Sequence, residues 1–365
     1  MKPTFLILSL FFSAQLFGQQ VNPVTNQLDV LESSGLIYTN NRMITINDSG
    51  NEPSLYEIDS ATGITQRKVF ISNASNVDWE DLAYDDDYIY IGDFGNNNGS
   101  RTNLRIYRVS MNDYLTTSND TITADTIKIS YAAQTDFTPA YQNNNFDAEA
   151  LISYQNSLYI FSKNWANDSC YIYPCPKTPG TYSLNRIDSF NSQGLVTAAA
   201  HFPGSPNIML IGYNLTIGEL FSIELKNFVA PNFVDSLVDR HTYLIPNLYS
   251  TQWEGLCAVS ALQYYISAEN TLIASASLFR LDTTGFPLGL DVLDQDELLI
   301  YPNPSSGLVK PSLPTTEMKL YTMDGKLLLR TKEQELNIEA LPQGTYQLIL
   351  FDHEKNAKTV LLQKK

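Results

Sequence analysis

A short acidic and apolar motif recurs five times along this chain, and a recurring unit commits every copy to the same supersecondary structure. It reads Glu32-Ser33-Ser34-Gly35-Leu36, Glu80-Asp81-Leu82, Glu149-Ala150-Leu151, a degenerate Ala198-Ala199-Ala200, and Glu254-Gly255-Leu256. After each comes a second apolar run, ending at Asn47-Asp48, Gly92-Asp93, Ser162-Lys163, Gly212-Tyr213 and Ala268-Glu269. A third run alternates apolar and polar positions, as at Leu55-Tyr56-Glu57-Ile58 and Leu278-Phe279-Arg280-Leu281, the period of a half-buried strand. Fourth strands fit at Lys68 to Ser72, Ile127 to Tyr131, Asn185 to Phe190 and Thr242 to Ile245. Four antiparallel strands repeated around an axis make a β-propeller.

The fold class expected is therefore all-β, a five-bladed propeller followed by a small C-terminal β-sandwich. The fifth unit shows no fourth strand after Asp282, so Gln27-Leu28-Asp29-Val30-Leu31 is expected to complete the last blade and leave no unpaired edge. Six blades stay open, because the interval from Glu80 to Glu149 is the longest and residues 110 to 146 have room for more than a loop. Aromatic content supports strands: the chain has 22 Tyr and 17 Phe. An open array of sheets or a sandwich is the competing architecture.

If each Glu begins the innermost strand of its blade, Glu32, Glu80, Glu149 and Glu254 converge at one mouth of the channel. Carboxylates that close raise one another's pKa unless a cation or a base neutralises them. Lys163 and Glu269 stand where other units carry Asp48, Asp93 and Tyr213, so the repeat breaks its own pattern there. The expected ligand-binding set is Glu32, Asp48, Glu80, Asp93, Glu149, Lys163, Glu254 and Glu269, with Glu149 and Lys163 as the catalytic candidates. Glu80, Asp93, Glu149 and Glu254 are the metal candidates, and calcium suits their oxygens. Hydrogen bonding of each Glu to the neighbouring blade is the architectural alternative. Trp79, Trp165 and Trp253 are expected to pack between blades.

Charge narrows the partners. Residues 19 to 296 hold 31 Asp and Glu against 13 Lys and Arg, whereas residues 297 to 365 hold 8 against 9. An acidic body disfavours nucleic acid and anionic lipid. With only His201, His241 and His353 in the chain, Ser-His-Asp and His-metal chemistries have few parts. Cys170, Cys175 and Cys257 lack metal-type spacing. Cys170 and Cys175 either pair across a turn or are small buried side chains. Met1-Lys2-Pro3 and the apolar run from Thr4 to Phe17 read as a signal peptide, too short to anchor in a bilayer. The domains expected are a signal peptide at 1–18, the propeller at 19–285, a linker at 286–296 and a C-terminal domain at 297–365.

Two resemblances add to this reading. Asp78-Trp79-Glu80-Asp81-Leu82-Ala83, Gly92-Asp93-Phe94-Gly95-Asn96-Asn97 and Asp147-Ala148-Glu149-Ala150-Leu151 resemble a group of secreted bacterial propellers, and the architecture is distantly similar to phytase-like and gluconolactonase-like propellers. No catalytic motif of those enzymes maps onto this chain. Tyr301-Pro302-Asn303-Pro304, Leu320-Tyr321-Thr322-Met323-Asp324-Gly325-Lys326 and Leu341-Pro342-Gln343-Gly344-Thr345-Tyr346 resemble the type A sorting domain of the type IX secretion system. That resemblance implies the secretion machinery as partner and a secreted or surface-attached protein. Two functions stand against each other. One is a ligand-binding propeller with an acidic, calcium-holding axial site. The other is a divalent-metal-dependent hydrolase, a phosphoesterase or lactonase.

Overall fold

A computed structural model describes residues 19–227, 237–243, 252–271, 274–283, 300–311, 315–322, 326–351 and 357–365. The expected signal peptide and the 286–296 linker lie outside the described residues. The chain falls into two compact units, residues up to Phe286 and residues from Pro287.

The first unit is built from five sheets. Their innermost strands are Ser33–Thr39, Trp79–Tyr84, Ala148–Tyr154, Leu195–His201 and Trp253–Ala258. Each packs against the next, and the fifth packs back on the first, so the sheets close into a ring of five blades. Strand faces explain the closure. In the second strand of blade 2, Ile89 and Ile91 enter the core shared with blade 1, while Tyr90 enters the core shared with blade 3. Five such cores lie between successive blades, so both faces of each sheet are covered by apolar side chains. Trp79 and Trp253 are fully buried in two of them.

Ring closure follows the expected device with a different segment. Gln20–Thr25 pairs antiparallel with Ser277–Asp282 and forms the outer strand of blade 5. Gln27 to Leu31 carries the alternation, but it runs beyond that strand and buries Leu28 and Val30 between blades 5 and 1. An alternating pattern reports burial on one side and does not require a ladder partner. The other fourth strands are Thr65–Ile71, Asp125–Tyr131, Asp188–Asn191 and Leu237–Tyr243. Ile245, the end of the fourth expected segment, lies outside the described residues.

The long interval holds no sixth blade among the described residues. It supplies a short helix, Met111–Thr116, and Thr121–Ile122, which adds parallel to the edge of blade 1. A loop from residue 132 to 146 then leads into blade 3. After the third strand of blade 3, Ser169–Pro176, the chain crosses back and lays Gly180–Leu184 parallel to the edge strand of blade 2. Cys170 and Cys175 sit on that one blade 3 strand and face opposite interblade cores, which excludes a bond between them.

The second unit has two sheets. One orders Ile300–Tyr301, Leu308–Pro311 and Leu336–Asn337, and the other orders Leu327–Thr331, Glu317–Tyr321, Gly344–Phe351 and Ala357–Lys364. A single core including Val309, Met318, Leu320, Leu348 and Leu362 fills this small β-sandwich. Among the described residues no helix is long and apolar enough to cross a membrane.

Candidate functional site

Each innermost strand contains one register shift against its neighbour, and the skipped residues are Gly35, Glu80, Glu149, Thr197 and Glu254. A bulge adds a residue without adding a pair, bends the strand and re-aims the extra side chain. Three of the five therefore present a buried carboxylate at the same level of the channel. Blade 1 places Gly35 there, with φ +59°, and a Cβ would sit 2.8 Å from the Asp81 backbone. Blade 4 places Thr197, whose hydroxyl donates to the Trp253 carbonyl at 2.5 Å. Glu32 is thus not the counterpart of the other three. It lies exposed before its strand, and its carboxylate accepts from the Asn51 amide at 2.5 Å.

The bulges and the ends of the second strands bring Asp48, Glu80, Glu149, Lys163, Glu254 and Glu269 into mutual electrostatic contact. Two further aspartates join them. Asp78 and Asp147 stand two positions before Glu80 and Glu149, so blades 2 and 3 both carry Asp-x-Glu, a repetition visible in the sequence. Oxygens of Asp48, Asp78 and Glu80 all lie within 4.8 Å of one another. The Gly95 backbone closes over two of them: a Cβ at Gly95 would meet Glu80 Oε1 at 1.8 Å and the Asp78 carboxyl at 2.6 Å.

Asp93 turns elsewhere. Its carboxylate accepts from Arg101 at 2.8 Å and the Asp78 backbone N–H at 3.1 Å, and pairs with Arg105 at 3.4 Å. Asp147 is a fixed anchor that accepts from Asn96 N at 2.6 Å, Ala148 N at 3.0 Å and Trp165 Nε1 at 2.7 Å. Deeper in the channel Asp81 accepts from Leu82 N and Leu151 N, at 2.8 and 2.7 Å, and from Ala199 N at 3.4 Å, which ties blade 2 to blades 3 and 4.

Lys163 is the buried cation of the mouth. Lys163 Nζ contacts both Glu149 oxygens at 2.5 Å, beneath the rings of Trp165 and Tyr213 at 5.0 and 5.1 Å. Burial opposes its charge, but Glu149, Tyr213 and Glu254 outweigh burial and hold the ammonium well above its ordinary range. Arg101 also pairs with Asp78 at 3.9 Å, whereas Asp48, Glu80, Glu254 and Glu269 form no ion pair among the described residues. Burial, then the neighbouring Asp48, pushes Asp78 up to about 7, and the same two causes push Glu269 up to about 7. Burial takes Glu254 to about 8 even though Lys163 pulls it back. Burial with repulsion from Glu149, Asp48 and Asp78 drives Glu80 well above the carboxylate range. Such a mouth is neutralised by protons or by a hard cation. Two oxygens on opposite sides of one calcium ion, each about 2.4 Å away, stand about 4.8 Å apart, and the three oxygens here lie within that limit.

Residues 299–363 match the family model of the secretion system C-terminal sorting domain. This assigns the second unit and gives the route of the whole chain: export through the type IX system to the cell surface or the extracellular space. A search of curated proteins found no match. Three similar solved structures are enzymes. The PQQ-bound aldose sugar dehydrogenase of Streptomyces coelicolor is 11% identical, covering 73% of this chain and 98% of that one, with a TM-score of 0.41. A gluconolactonase of Xanthomonas campestris is 9% identical over 74% of this chain and 92% of its own, at 0.38. The GH43_1 enzyme of Xanthomonas citri is 9% identical over 71% and 89%, at 0.42. Likenesses this low transfer no chemistry, and the propeller assignment rests on the closed ring of sheets.

Proposed function

Since the chain leaves the cell with a type IX sorting domain at residues 299–363, we propose that its propeller is a secreted ligand-binding module whose acidic mouth holds a divalent cation, calcium by its donor set. The observation that carries this is the trio Asp48, Asp78 and Glu80, with oxygens within 4.8 Å of one another beneath a glycine that alone leaves room for them. Glu149, Glu254 and Glu269 widen the acidic surface around it, and Lys163 sets one positive charge at its side. An exported protein meets calcium at concentrations that suit weak extracellular sites. The test is calorimetric titration of the full chain with calcium. One ion should bind, and Glu80→Gln should weaken it at least tenfold. Absence of heat in the parent protein with calcium, manganese and magnesium ends the proposal.

One observation favours a second reading, a metal-dependent hydrolase. The Lys163–Glu149 pair lies among the same carboxyls, where an ammonium can stabilise a developing oxyanion beside a cation that polarises the substrate. Chelator-sensitive cleavage of a phosphate ester or a lactone, lost in Glu149→Gln with folding intact, distinguishes it from the binding module.

A further inference from the structure

Away from the axis, the two largest departures from the repeat meet. The 132–146 loop and the excursion through Gly180–Leu184 wall a cleft of about 640 Å³ at the rim between blades 2 and 3. That is within the range of small-molecule sites. Its lining combines Tyr171, Tyr173 and Phe146 with Asn143, Asn145, Arg186 and the carboxylate of Asp136.

Two of these groups have unmet capacity. Asn145 Oδ1 is buried without a hydrogen-bond partner, an acceptor that costs free energy until a donor reaches it. Arg186 holds its guanidinium carbon over the Tyr171 ring, 4.5 Å from the centroid, and forms no ion pair among the described residues, although it belongs to a strongly acidic body. A guanidinium without a carboxylate partner matches a planar carboxylate with two parallel hydrogen bonds. The cleft is too polar for a hydrocarbon and carries too little positive charge for a nucleic acid.

We propose that this cleft binds an acidic saccharide, with a sugar carboxylate on Arg186, ring hydroxyls on the Asn143 and Asn145 amides, and an apolar sugar face against the aromatic wall. Sugars suit such a lining because one face presents C–H groups and the edges present hydroxyls that both donate and accept. This site shares no residue with the axial mouth and stands independently of the cation there.

The experiment titrates the full chain, without added calcium, with tetragalacturonate, its methyl ester and tetraglutamate. Tetragalacturonate should bind. Arg186→Gln should weaken it at least tenfold while changing the methyl ester less than twofold, and Asn145→Ala should weaken both saccharides. Unchanged thermal melting in each variant confirms that the fold is intact, and Arg186→Lys, which keeps the charge without the planar fork, should fall between parent and Gln. The proposal is overturned if neither saccharide binds, if Arg186→Gln leaves tetragalacturonate binding unchanged, or if tetraglutamate binds as tightly.

Discussion

Raising the pH of the cation-free propeller from 5 to 8 should destabilise it. Asp78 and Glu269 are pushed up to about 7 and Glu254 to about 8, with burial the largest cause in each. In the unfolded chain the same groups titrate near 4. Between those limits the folded state keeps protons that the unfolded state has released, so stability falls by about 1.4 kcal/mol per pH unit for each such group. The contribution is complete below about pH 4 and gone above about pH 8. Glu57 has the opposite sign, because Tyr114, Arg67 and Arg42 overcome its burial and hold it below the usual range, so its contribution is already complete above the ordinary carboxylate range and is lost only on further acidification. Calcium should offset part of the loss, adding about 2.7 kcal/mol at a hundred times its Kd. The gain should be larger at pH 8 than at pH 5, where protons compete for the same oxygens. Urea unfolding followed by tryptophan fluorescence, in chelator and in calcium, measures both. Stability in chelator that is flat or rises from pH 5 to 8, or a calcium gain no larger at pH 8, refutes the reasoning.

Three substitutions or deletions probe other parts. Gly95→Ala drives a methyl group into Glu80 Oε1 and should weaken calcium at least tenfold by calorimetry, with the five-bladed fold retained by circular dichroism. Lys163→Met strips Glu149 of its buried partner and should cost about 3–5 kcal/mol in urea unfolding, partly recovered by adding Glu149→Gln. Removing residues 19–25 deletes the outer strand of blade 5 and exposes Ser277–Asp282 as an open edge, so size-exclusion chromatography should show aggregation that a Glu80→Gln protein lacks.

Much of the architecture could be read from the amino acids because the repeat is written in burial. Apolar runs covered on both faces mark second strands such as Tyr88–Asp93, and five copies fix the ring. What the letters conceal is register. A bulge shifts pairing by one residue and leaves no compositional trace, so Glu32 looks equivalent to Glu80 although Gly35 occupies that position in space. The same one-residue uncertainty groups Asp93 with Lys163, whereas pairing sets Asp93 against Trp79 and gives it to two arginines. Gln27 to Leu31 has the pattern of a strand without a free ladder to join, because Gln20–Thr25 already holds it. Asp81 lies within the blade 2 motif Glu80-Asp81-Leu82 and on the axis. Only the assembled ring shows its carboxylate reaching the N–H groups of two further blades.

The most direct measurement is an anomalous difference map from crystals of the full chain grown with a lanthanide in place of calcium. A single strong peak bounded by oxygens of Asp48, Asp78 and Glu80 is the predicted result. A map with no peak at that mouth, or with ions only at carboxylates on the outer blade surfaces, contradicts the account.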